Sequence, residues 1–210
     1  MTLRLNGSSS GFTEIDAPAA AGSNTLTLPT SNGSANQVLR NGSTPGTLEF
    51  ADGPAQVLTS GTLVASTSGT AIDFTGIPST VKRITVMFNG VSTNGTSGIL
   101  VQVGDGSIVS SGYVSTVVGT DTTALGTSST TTGFIVVTQT AADIRSGIFE
   151  LVTLGSNQWV SSHTLKNSGT QMSYGAGNVA LSGTLDRIRI TTTAGTNTFD
   201  AGTINIMYEG

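Results

Sequence analysis

Residues 72–103 read Ile72-Asp-Phe-Thr-Gly-Ile-Pro-Ser-Thr-Val-Lys-Arg-Ile-Thr-Val-Met-Phe-Asn-Gly-Val-Ser-Thr-Asn-Gly-Thr-Ser-Gly-Ile-Leu-Val-Gln-Val103. Ile84, Val86 and Phe88 share one face of an extended segment and Thr85 and Met87 the other, the period-2 pattern of a half-buried strand. Asn89-Gly90, Asn94-Gly95 and Gly98 then offer residues that accept the positive φ of tight turns. A second strand follows, with Ile99, Val101 and Val103 on one face and Leu100 and Gln102 on the other. The stretch therefore predicts a β-hairpin. A lone hairpin is marginal in water, so the rest of the chain is expected to supply its sheet partners.

Composition agrees with a β protein. The 210 residues include 28 Gly, only 10% charged and 5% aromatic residues, and Ser and Thr together exceed a quarter of the chain. Such a balance could signal disorder, but 36% of the residues are hydrophobic and they cluster in Val/Ile/Leu runs. A net charge of −4 with eight scattered Lys and Arg leaves no basic stripe for a phosphate backbone, so nucleic acid is not an expected partner. No apolar run approaches the ~20 residues that span a bilayer, and membrane insertion is not expected. The opening Met1-Thr-Leu-Arg-Leu-Asn-Gly7 lacks the apolar core of a signal peptide, so Sec export is not expected either. Without Cys there are no disulfides or thiolate metal sites.

Residues 1–52 read as short strands: Leu3/Leu5, 12–16, 25–28, 37–40 and 47–50, separated by Asn6-Gly7, Asn32-Gly33, Asn41-Gly42 and Pro45-Gly46. Each strand carries one or two apolar residues, too few to offset the entropy of ordering it alone. Leu3, Leu5, Ile15, Leu26, Leu28, Val38, Leu39 and Phe50 are therefore expected to pack between copies of the chain or against a larger particle, in an extended attachment segment. Ala51-Asp-Gly-Pro54 marks the expected boundary.

From residue 53 onward, candidate strands recur at 57–65, 71–74, 81–88, 99–103, 113–118, 134–138, 148–154, 159–165, 179–181, 185–192 and 203–208. The expected architecture is all-β: an extended N-terminal segment, 1–52, and a jelly-roll-like antiparallel β-sandwich, 53–210. Residues 141–145 form the one helix-like piece, and 119–133 read as a long loop. Thr80-Val-Lys-Arg-Ile-Thr-Val86 echoes Thr184-Leu-Asp-Arg-Ile-Arg-Ile190, as two related edges of one fold would.

Catalysis is not expected. The sole histidine, His163, has Ser161 and Ser162 beside it in sequence, but adjacency on a strand sends neighbours to opposite faces. The acids of residues 53–210 form no Asp-x-Asp or Glu-x-Glu pair for glycan cleavage. Gly104-Asp-Gly106 and Gly175-Ala-Gly177 lack the helix that would make a phosphate cradle, and no cofactor is indicated. Binding is easier to support. Trp159, Tyr113 and Tyr174 stand beside Ser, Asn, Gln or Gly, the mixture that stacks on sugar rings and hydrogen-bonds their hydroxyls. Trp159 alternates in phase with His163, so these four residues are the candidate glycan contacts.

Two regions carry a family resemblance. Leu5-Asn-Gly-Ser, Ile15-Asp-Ala-Pro18, Gly22-Ser-Asn-Thr-Leu-Thr-Leu-Pro29 and Gln37-Val-Leu-Arg-Asn-Gly42 resemble repeated stretches of tail-fibre and other fibre proteins of marine tailed phages, cyanophages included. Phe74-Thr-Gly-Ile-Pro78, Gly112-Tyr113, Leu185-Asp-Arg-Ile-Arg-Ile-Thr-Thr192 and Thr198-Phe-Asp-Ala-Gly-Thr-Ile-Asn-Ile206 resemble a C-terminal β domain of such proteins. The resemblance implies a homotrimeric virion structural protein on the tail or capsid exterior. Its N-terminal segment would attach to other virion proteins, and its β domain would face a host-surface glycan or protein. It carries over no catalytic residues. The chain departs from long tail fibres in having no evident coiled-coil or β-helix shaft, which brings in a capsid-mounted fibre or decoration protein as the alternative, with a polysaccharide depolymerase behind it.

Overall fold

Asn-Gly and Pro-Gly pairs close the first strands locally. In the computed structural model, which describes residues 3–20, 22–53, 58–120, 125–136, 143–169 and 171–210, β1 (Leu3–Asn6) pairs antiparallel with β2 (Phe12–Ile15). Gly7 N–H donates to Gly11 O at 3.0 Å across the turn, where Gly11 takes φ 76°. β3 (Gln37–Asn41) pairs likewise with β4 (Leu48–Asp52), closed by Gly42 N–H to Thr47 O at 2.7 Å. Both closures are short, so they cost little loop entropy. The strands and turns of this segment thus form two hairpins, and the chain doubles back in each. Residues 25–28 contribute only a parallel bridge from Thr27 to Thr47.

The chain divides into two units, Met1–Ala55 and Gln56–Gly210. Among the described residues of the first, no side chain joins a buried hydrophobic cluster.

The second unit is built from β5 (Thr59–Ser60), β6 (Val64–Ala65), β7 (Ile72–Thr75), β8 (Arg83–Thr93), β9 (Ile99–Gly104), β10 (Val114–Thr120), β11 (Leu125–Thr130), β12 (Phe134–Ile135), β13 (Arg145–Gly155), β14 (Gln158–Lys166), β15 (Met172–Ala180), β16 (Arg187–Thr192) and β17 (Phe199–Glu209). A nine-stranded sheet runs β11-β10-β15-β14-β13-β8-β17-β5, with β6 also on β17, and a four-stranded sheet runs β12-β9-β16-β7. All strand pairs are antiparallel. One buried cluster joins the two: Ile84, Val86, Phe88, Phe149, Leu151, Ile204 and Ile206 from the larger sheet, and Ile72, Phe74, Val101, Val103, Ile188 and Ile190 from the smaller. The inward residues follow every-second-residue spacing, so the pleat itself builds the core.

The hairpin expected over 72–103 does not form. β8 pairs with β13 and β17, whereas β9 pairs with β12 and β16, so the two strands lie in opposite sheets. Two apolar strand faces can be buried side by side in one sheet or face to face across a core, and alternation alone does not choose between them. Nor does Asn89-Gly90 end β8. Gly90 takes φ 68° within an irregular stretch opposite Gly202, and the strand continues to Thr93.

Three further readings change. The loop expected over 119–133 contains β11, paired with β10, because β-branched Thr suits a strand as well as a loop; residues 121–124 lie outside the described residues. Of the helix-like piece at 141–145, residues 141–142 lie outside the described residues, and Arg145 opens a strand. The echoed segments are not edges, since β8 and β16 are interior strands of the two sheets. Pro54, Val57 and residues 137–138, also assigned from sequence, lie outside the described residues.

Candidate functional site

The four candidate glycan contacts occupy separate places. Tyr113 is 1% exposed and belongs to the core, where its hydroxyl accepts Val103 N–H at 2.8 Å and donates to Val109 O at 3.0 Å. Its ring meets Phe134 edge-on at 5.0 Å. His163 is also buried, stacked on Phe149 at 6.1 Å. Neither imidazole nitrogen has a hydrogen bond among the described residues, and the neighbouring Val136 carbonyl accepts from Ser173 Oγ at 3.1 Å. Burial pushes the imidazole down to about 4, so the ring is neutral near pH 7. Neither residue presents surface to a glycan, which corrects both assignments. A polar neighbour in sequence does not reveal which face of a strand is covered.

Tyr174 is exposed on the outer face of the larger sheet, opposite Thr164 and Val118 and near Met172. Trp159 lies elsewhere, at the start of β14, and borders a depression of about 230 Å³. At 5% exposure it offers an edge rather than a stacking face. Its indole N–H makes no hydrogen bond among the described residues and is not one of the fully enclosed polar atoms, so it remains open to solvent.

Three chain segments make the rim of this depression. Ser79, Val81 and Lys82 lead into β8, Thr184 and Leu185 lead into β16, and Thr153, Gly155, Ser156 and Asn157 close β13 onto β14. Ser156 and Asn157 take φ 51° and 58°, the doubly left-handed geometry of a tight hairpin turn. Thr153 N–H donates to Lys82 O and Leu181 N–H to Asn157 O, each at 3.0 Å, which ties the segments together through backbone. The sequence signal missed was Ser156-Asn157 between two apolar-alternating runs. What no local pattern could show is that 79–82 and 184–185 would converge on it.

Lys82 is the one charged residue on that rim. Arg4, Arg40, Arg83, Arg145, Arg187 and Arg189 are each paired with a carboxylate, and Lys166 Nζ donates to Asn167 O at 3.0 Å. Lys82 has no ion pair among the described residues.

Several carboxylates of this unit are engaged structurally. Asp105 accepts from Ser182 Oγ at 2.7 Å and from Gly183 N–H, which hold it below the usual carboxylate range. Asp186 is held down at about 2 by Arg187, and Asp73 forms a two-pronged pair with Arg189 at 2.7 Å. No group of three metal-ligating side chains occurs among the described residues.

In the first unit the expected interface residues are all at the surface: Leu3, Leu5, Ile15, Leu26, Leu28, Val38, Leu39 and Phe50 are between 38% and 69% exposed. Leu28 and Phe50 line a depression of about 450 Å³ with Pro29, Gly33 and Leu48. Comparison of the chain with protein families, curated proteins and solved structures finds no match.

Proposed function

We propose that the protein is a structural subunit of a tailed-phage virion. In this reading it is a homotrimeric fibre whose first unit joins copies and binds other virion proteins, and whose second unit, a jelly-roll body, is displayed for host-surface recognition. The observation that carries the proposal is the set of large apolar side chains exposed along β1 to β4 with no buried cluster of their own among the described residues. Apolar area left in water forgoes roughly 25 cal/mol per Å², and large apolar side chains exposed in this number suit an interaction surface. Strand order supports the jelly roll: β5-β17-β8-β13 on one sheet faces β7-β16-β9-β12 on the other, and the chain alternates between sheets along much of its length. The number three comes from the resemblance to phage fibre proteins.

Sedimentation equilibrium of the full chain tests the assembly. A trimer is expected, together with its dissociation by Leu5→Asp combined with Leu28→Asp. A well-ordered monomer at micromolar concentration overturns it. Among the described residues no coiled-coil helix or β-helix occurs, which favours a capsid-mounted fibre or decoration protein as the second reading; antibody labelling of particles separates head from tail. A depolymerase predicts new reducing ends when the protein is incubated with envelope glycans.

A further inference from the structure

We infer that the depression beside Trp159 is a binding site for an acidic sugar residue, a pyranose bearing a carboxylate or sulfate group, with the anion directed at Lys82. The inference deepens the surface-recognition part of the proposed function and rests on it only for biological purpose. Chemically it stands on three observations. The rim carries one cation and no acid, although the chain as a whole is net −4. That cation is the one left without a carboxylate or hydrogen-bond partner among the described residues, while all six arginines are committed to carboxylates. The wall is a 95%-buried tryptophan, 5% exposed, whose indole N–H is open and unpartnered.

Size and lining narrow the ligand class. About 230 Å³ lies below the roughly 300–1,000 Å³ of sites that enclose drug-sized molecules, so one sugar ring is the scale that fits. Ser79, Ser156, Asn157 and Thr184 supply hydroxyl and amide groups that can both donate to and accept from sugar hydroxyls, whereas the Thr153 hydroxyl is engaged locally, donating to Gln158 O at 3.2 Å and accepting Gly155 N–H at 3.0 Å. The Trp159 edge supplies an apolar contact and a single donor. A bare inorganic anion would use Lys82 and the donors of this lining but leave its acceptors and the apolar Trp159 edge idle, whereas a neutral sugar would leave Lys82 without a partner. Only a ring carrying an anion uses both.

Because Trp159 is the sole tryptophan, its emission reports on the site directly. Full-length protein is titrated with a uronic-acid oligosaccharide, a sulfated oligosaccharide, a neutral glucose oligomer, and sodium acetate or sulfate as bare anions. Saturable quenching or shift is expected with one or both acidic saccharides. Their affinity should drop about tenfold or more in Lys82→Gln, stay unchanged in Lys166→Gln, and weaken as salt is raised. The uronate and sulfated arms tell which anion the site takes. Equal response to the neutral oligomer, equal response to bare anions, an unaffected Lys82→Gln, or no saturable change with either acidic saccharide overturns the inference. Lys82 is exposed, so its variant keeps the fold, as circular dichroism checks. All lining residues belong to the second unit, so sedimentation of the same samples shows separately whether the trimer reading has failed.

Discussion

Gly202 on β17 and Gly90 on β8 meet backbone to backbone: a Cβ on Gly202 would stand 2.4 Å from both the carbonyl carbon and oxygen of Gly90. Gly202 also takes φ 92° and Gly90 φ 68°, in the irregular stretch that lets β8 run on to Thr93 beside Phe199. Gly202→Ala therefore meets both a steric clash and a backbone conformation that L residues avoid. Its expected cost is about 2–4 kcal/mol of unfolding free energy, read as a lower urea midpoint. Ala at Gly106 also adopts a positive φ, 94°, but meets nothing within 4 Å, so it should cost about 1 kcal/mol. Equal losses at the two positions would show that the close approach is not what the glycine serves.

Acid should weaken the second unit through His163. Folding holds the imidazole at about 4 against an ordinary 6.5, because burial disfavours its charged form. Between these values the unfolded chain binds more protons than the folded one, so stability falls as pH is lowered from about 6.5 to about 4. The full loss is about 3 kcal/mol. Exposed carboxylates held low by partners, Asp105 and Asp186, act only below their ordinary 3.8 and so fall outside that window. Urea unfolding at pH 7.0 and 4.5 should show the difference, and His163→Leu should shrink it. An undiminished difference in the variant would assign the acid lability elsewhere.

How far the sequence was legible divides along a physical line. Alternation located the strands around Ile84, Phe149, Trp159, Ile188 and Ile206, because one buried face imposes a period of two. It did not show that β8 and β9 separate, since the same face serves a hairpin or a sandwich. Thr127 and Ser128 read as loop because hydroxylic residues satisfy either state; pairing with Val118 and Val117 decided it. In the candidate site, Trp159 was legible as a residue type. Lys82 was not, because its significance lies in what every other cation is bonded to, and that is a property of the whole fold.

Ile188 sits at the centre of the smaller sheet, between Phe74 and Val103, with no exposed surface. Ile188→Asp buries a carboxylate with no partner and should cost about 4 kcal/mol or more. Ser111, exposed between β9 and β10, should accept Asp within about 0.5 kcal/mol. Thermal unfolding of both variants checks the contrast, and a tolerant Ile188→Asp would mean that the two sheets do not share a core.

A chain beginning at Gln56 should keep the β-body intact while losing self-association. Both buried clusters lie wholly in residues of the second unit, from Ile72 to Ile206, and no described residue of the first contributes to either. Stability of the body should therefore match the full chain within about 1 kcal/mol at equal urea and pH, apart from any gain by mass action when copies associate. That gain is separable because it grows with protein concentration in the full chain and is absent from the shortened one. A concentration-dependent midpoint in the shortened chain would place an association surface on the body instead, with exposed Ile148, Val152 and Tyr174 on the larger sheet as the residues to change next.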